Sequence, residues 1–143
     1  MVDLFSRLDG LSIRLNEASD NLSQTITQVE TKLRELRLGV SAWVVLENDP
    51  PCDGNGNEQD SAASHLGYAK LNGTWQLVIS EGFEALKYFP LKQAPRETRL
   101  KAITLFPVLL EEIAKQAEAA LREVGKAKQI ADPLIEHISE KQK

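Results

Sequence analysis

From Leu4 to Leu36 apolar residues return every three or four positions: Leu4, Leu8, Leu11, Leu15, Ala18, Leu22 and Val29, with Leu36 beyond. The slots at Thr25 and Lys32 are polar, and Ile26 and Leu33, one position later, widen the stripe. A 3.5-residue spacing held for about five heptads marks a helix with one apolar seam. Asp3 reads as its N-cap and Gly39 as the C′ residue that ends it. Within residues 1–38, a helix from 3 to 38 is roughly 50 Å long at about 1.5 Å per residue. That length forces a choice: the helix lies along a second long helix, or it extends beyond a compact body.

The chain has 143 residues, enough for one ordinary domain and too few for two independent cores, so residues 1–143 read as a single domain. With 42% hydrophobic residues and a net charge of −4 it is not a disordered chain. Cys52 is the one cysteine, which excludes an intramolecular disulfide. No apolar run reaches the roughly 18 residues of a membrane span, and the first residues lack a basic-then-apolar leader. A soluble, cytoplasmic protein is the expectation.

After Gly39 the period changes. Residues 40–47 are rich in β-branched and aromatic types and read as a strand. Asn72-Gly73 is a type I′ turn signal between strands at 66–71 and 74–80. A two-residue loop pairs Leu71 with Thr74, Lys70 with Trp75, Tyr68 with Leu77 and Leu66 with Ile79. Leu66, Tyr68, Trp75, Leu77 and Ile79 then share one face, while Gly67, Ala69, Thr74, Gln76 and Ser80 make the other mostly polar. The sheet in residues 40–80 is therefore expected to have three antiparallel strands, interrupted by a long acidic loop over 48–65.

Residues 95–143 read as helical. Pro95 opens a helix near Arg96, and Leu100, Ile103, Leu110, Ala114, Ala117, Leu121 and Val124 recur at helical spacing. Pro107 cannot donate to the carbonyl at 103 and is expected to kink or split this helix. Asp132-Pro133 looks like an N-cap and first-turn pair starting a short last helix with Leu134, Ile135 and Ile138. The fold class is α+β, in the order α–β–β–β–α–α.

Chemistry is sparse. The loop from 47 to 60 offers Asp49, Asp53 and Asp60 at positions 1, 5 and 12 of a calcium loop, with Gly54 at position 6. Pro51 leaves position 3 without a side-chain oxygen, and strands stand where an EF-hand has helices, so a solvated connector is the simpler reading. His65, His137 and Cys52 are too scattered for a zinc site. No nucleophile elbow, P-loop, His-Glu-x-x-His or dinucleotide fingerprint occurs, so neither an enzyme nor a cofactor is expected. Lys87, Lys92, Arg96, Arg99 and Lys101 cluster around Tyr88 and Phe89. The chain as a whole is acidic, which disfavours nucleic acid as a partner and suggests that Arg96, Arg99 and Lys101 face carboxylates on the first helix or a partner.

In outline, terminal helices around a β-element resemble prefoldin-type chaperone subunits. The 48–65 loop and Pro107 depart from that plan, no motif matches, and no family is assigned. The strongest constellation is the stripe itself. The first helix is longer and cleaner than the Pro107-interrupted one, so pairing within the chain leaves apolar surface over. The expected function is a non-catalytic interaction or assembly module. It would self-associate as a homo-oligomer through a coiled-coil-like seam carried by Leu8, Leu11, Leu15, Leu22 and Val29. The alternative is a metal- or small-molecule-binding protein, even an enzyme, built on the 47–60 loop.

Overall fold

A computed structural model describes residues 2–48, 63–82 and 87–141. Helix α1 (Val2–Leu36) leads into strands β1 (Ala42–Asn48), β2 (Ala63–Leu71), β3 (Thr74–Glu81) and β4 (Lys87–Pro90). A 3-10 turn (Leu91–Gln93) then precedes α2 (Arg96–Thr104) and α3 (Phe106–Lys141). The strands form one antiparallel sheet in sequence order. The class is α+β, as the sequence implies, with four strands where three were expected. β4 escaped notice because Lys87-Tyr88-Phe89-Pro90 is short, carries a charge and ends in proline; only its pairing with β3 defines it.

The hairpin obeys its turn. Asn72 and Gly73 both take positive φ, at 53° and 84°, and this conformation suits the right-handed twist of the flanking strands. Every pair read from the sequence is present, from Leu71 opposite Thr74 to Leu66 opposite Ile79. One hydrophobic core joins Leu66 and Tyr68 of β2 and Leu77 and Ile79 of β3 to Ile26 and Leu33 of α1. Leu91, Ala102, Phe106, Leu109 and Ile113 complete its helical side. α1 packs on β3, the 3-10 turn and α2, whereas α3 packs on β1 and β2.

The opposite face of the sheet is less polar than the sequence pattern suggested. Trp43 of β1 and Tyr88 of β4 lean toward each other with ring centroids 5.8 Å apart. The indole lies directly over Gly67, where a Cβ would overlap it, and Val78 is buried on the same side. Two aromatic rings reach across from the edge strands, which no alternation within the hairpin reveals. Trp43 therefore lies outside the helix-covered core, while Tyr68 and Trp75 stack on one another within or against it.

Helix boundaries differ from the sequence reading in three places. α1 ends at Leu36, because Arg37 itself takes the left-handed conformation (φ 51°) and its amide donates to the Arg34 carbonyl at 3.1 Å. Asp3 lies in the first turn and is not the cap. The split attributed to Pro107 falls at Leu105, which places Pro107 in the first turn of α3, where an amide proton is not required. Asp132-Pro133 starts no new helix: α3 runs on through Pro133 to Lys141. The Gln129 carbonyl loses its usual amide donor there, on a stretch of α3 that is exposed to solvent. Asp49, Cys52, Asp53 and Asp60 lie outside the described residues.

Candidate functional site

The two long helices are each half built into the body and half outside it. In α1 the inner half is anchored by Ile26 and Leu33, with Glu30 between them only 2% exposed. The Glu30 carboxylate accepts the Leu77 amide at 3.0 Å and meets Lys92 Nζ at 3.0 Å and Arg34 at 3.6 Å. β4 extends only as far as Pro90, opposite Val78, so the Leu77 amide has no strand on that side to bond. Glu30 takes its place and ties α1 to the sheet and to the 3-10 turn. Burial of the neighbouring Tyr68 pushes its phenol above the usual range; Arg34 opposes this and Glu30 adds to it.

A second tie lies about two and three turns further out along α1 from Glu30. Arg99 of α2 donates through Nη1 to the Ser19 carbonyl at 3.1 Å and the Ser23 hydroxyl at 2.6 Å. Lys101 meets Glu47 of β1 at 3.1 Å. The basic cluster read from the sequence is thus divided among α1, β1 and solvent, with Lys92, Arg99 and Lys101 all engaged inside the chain. Glu30 was missed by sequence reasoning. Its signal was present, because it stands four residues after Ile26 and three before Leu33, on the core side of the helix.

Outside Ser19 the picture inverts. Leu4, Leu8, Leu11 and Leu15 lie along one face and are each 46–56% exposed, with Phe5 and Ile13 more exposed still. No described element covers them. Of the five seam residues expected from the sequence, Leu8, Leu11 and Leu15 are free, while Leu22 and Val29 are half-buried; Val29 packs against the core. The structure therefore divides that set at about Ser19.

α3 repeats the pattern. Its inner half carries Phe106, Leu109 and Ile113 into the core. Its outer half holds Leu121, Val124, Ile130, Leu134, Ile135 and Ile138, 57–72% exposed. The antiparallel pairing of the two helices that would have satisfied the stripe within the chain is not formed, because they cover different strands. Near their roots they leave an apolar cleft of about 370 Å³, lined by Val29, Leu33 and Leu36 on one side and Leu110 on the other.

The remaining concavities are poor in chemistry. A polar cleft of about 250 Å³ between the sheet and α2 gathers Glu47, Ser64, Glu81, Glu97 and Lys101. Among the described residues no three His, Cys, Asp or Glu side chains converge as metal ligands. His65 lies in β2 between Val45 and Ser80, and His137 is exposed far out on α3. No described helix is long and apolar enough to cross a membrane.

No family model matches the chain, and none of the curated proteins or solved structures is detectably similar to it.

Proposed function

We propose that this protein is a non-catalytic assembly module whose outer helix halves form seams with other copies of the chain. The observation that carries this reading is the pair of uncovered apolar stripes, Leu4 to Leu15 on α1 and Leu121 to Ile138 on α3. Contiguous apolar surface of that kind is rare on a solitary soluble protein, because each side chain left in water forfeits the burial that stabilises folds.

Helix propensity argues in the same direction. The outer half of α1 contains Ser6, Gly10, Ser12 and Asn16, all poorer helix formers than alanine. A segment of this length and composition is marginal as an isolated helix in water. Packing the stripe against a partner supplies what propensity does not. Association and helicity of the outer half are then coupled, and the sheet with the inner helix halves serves as the anchor that sets their direction.

The test is mass in solution by size-exclusion chromatography with light scattering over a hundredfold concentration range. A mass of at least twice the 15.9 kDa chain is expected, with return to the single-chain mass for the Leu8→Asp/Leu15→Asp variant. A wild-type protein that remains a monomer throughout the range overturns the proposal.

A further inference from the structure

Accepting the assembly reading leaves open which surface the α1 stripe meets. We infer that the outer half of α1 in one copy pairs, in parallel, with the outer half of α3 in a second copy. The argument is charge complementarity beside the two seams. In α1 the seam runs Leu4, Leu8, Leu11, Leu15, so Leu8 and Leu15 occupy the first core position of their heptads. The residues immediately before them, at the flanking g positions, are Arg7 and Arg14. In α3 the seam runs Ala117, Leu121, Val124, Lys128, Ala131, Ile135, Ile138. The residues immediately after Ala117 and Ala131, at the flanking e positions, are Glu118 and Asp132. All four charged residues are exposed, and none has an ion-pair partner among the described residues.

Flanking charges of this kind choose partner and orientation in paired helices. Two α1 stripes in antiparallel would set Arg7 and Arg14 against each other; in parallel the arginines would face Ser12 and Ser19. Two α3 stripes in antiparallel oppose Glu118 and Asp132, and in parallel set them beside Ala120, Ala127 and Leu134. An antiparallel α1–α3 pair places g against g and e against e, so arginine again meets no carboxylate. The parallel α1–α3 pair alone sets the arginine side of one helix along the carboxylate side of the other; Arg7 and Arg14 are one heptad apart and Glu118 and Asp132 two, with Gly125 between, so each register brings one arginine to one carboxylate. It also lays Phe5 along the side that carries Ala120, Ala127 and Leu134. Lys128, in a core slot of α3, is the kind of polar interruption that fixes register at some cost in affinity.

The experiment uses the full chain in three forms: wild type, Arg7→Glu/Arg14→Glu, and Glu118→Arg/Asp132→Arg. All four positions are exposed, and circular dichroism checks that each form keeps its sheet and helices. Light scattering across a concentration series is expected to show wild-type association and, for each variant alone, a midpoint weakened by about tenfold. An equimolar mixture of the two variants is expected to recover the wild-type midpoint, because reversed α1 then meets reversed α3 while the untouched halves meet each other. A mixture no stronger than its components, or variants that associate as wild type does, overturns the α1–α3 pairing and leaves assembly standing. A monomeric wild type overturns both.

Discussion

The inner and outer halves of α1 carry the same heptad spacing and have opposite fates. Between Ser19 and Leu36 the helix buries Ile26, Glu30 and Leu33 against the sheet, the 3-10 turn and α2. Between Val2 and Ala18 an equally regular stripe faces solvent. Periodicity therefore reports that a face is to be covered and carries no information on what covers it. The inner half is not packed as a coiled-coil strand either. Its most buried positions, Ile26, Glu30 and Leu33, are centred one residue off the Leu22–Val29 line, because the neighbours are strands and a short helix rather than another long helix.

That contrast can be broken most severely at Ile26. Ile26→Ala removes a fully buried side chain from the centre of the core and is expected to cost about 3 kcal/mol in urea unfolding. Glu30→Ala follows, at about 2 kcal/mol, since it orphans the Leu77 amide and releases Lys92, which is itself partly solvated. Glu30→Gln should recover part of that loss by keeping an acceptor for the amide. Gly67→Ala drives a methyl group into the Trp43 indole, at an expected cost of about 1–2 kcal/mol and with a changed tryptophan emission.

The outer half should behave differently under the same measurement. Leu11→Ala, taken at a concentration where the chain is monomeric, is expected to shift unfolding by less than about 0.5 kcal/mol, while at higher concentration it weakens association. Pro133→Ala, at the same monomeric concentration, should raise helicity by circular dichroism without moving the unfolding midpoint, since the outer half of α3 makes no contribution to the core. If Leu11→Ala destabilised the monomer as much as Ile26→Ala does, the distinction between anchored and free halves would be lost.

Legibility followed the range of the determining interaction. The hairpin was readable to the residue, since its register rests on two adjacent residues that accept positive φ. The helical character of 95–143 was readable, but its breaks were not: Pro107 stands in a first turn, where it is harmless, and Asp132-Pro133 mimics a helix start without making one. Of the candidate seam residues, Leu8, Leu11 and Leu15 stand exposed along one face of α1, while the body partly covers Leu22 and Val29, a difference the common spacing does not register. In the sequence the outer α3 stripe reads as two pieces, because Asp132-Pro133 has the chemistry of a helix start.

What the sequence alone determined here is local: the β-turn at Asn72-Gly73, the pairing it imposes, the α+β class, and the existence of two long amphipathic helices. Backbone sterics and side-chain periodicity act within a few residues, so each is written in the string itself. The tertiary structure decided which half of each helix is anchored, that Lys87–Pro90 adds a fourth strand, that Trp43 lies over Gly67 and beside Tyr88, and that Glu30 serves the Leu77 amide. Each of these depends on groups distant in sequence, brought together by burial of a common core, and no local pattern specifies that meeting.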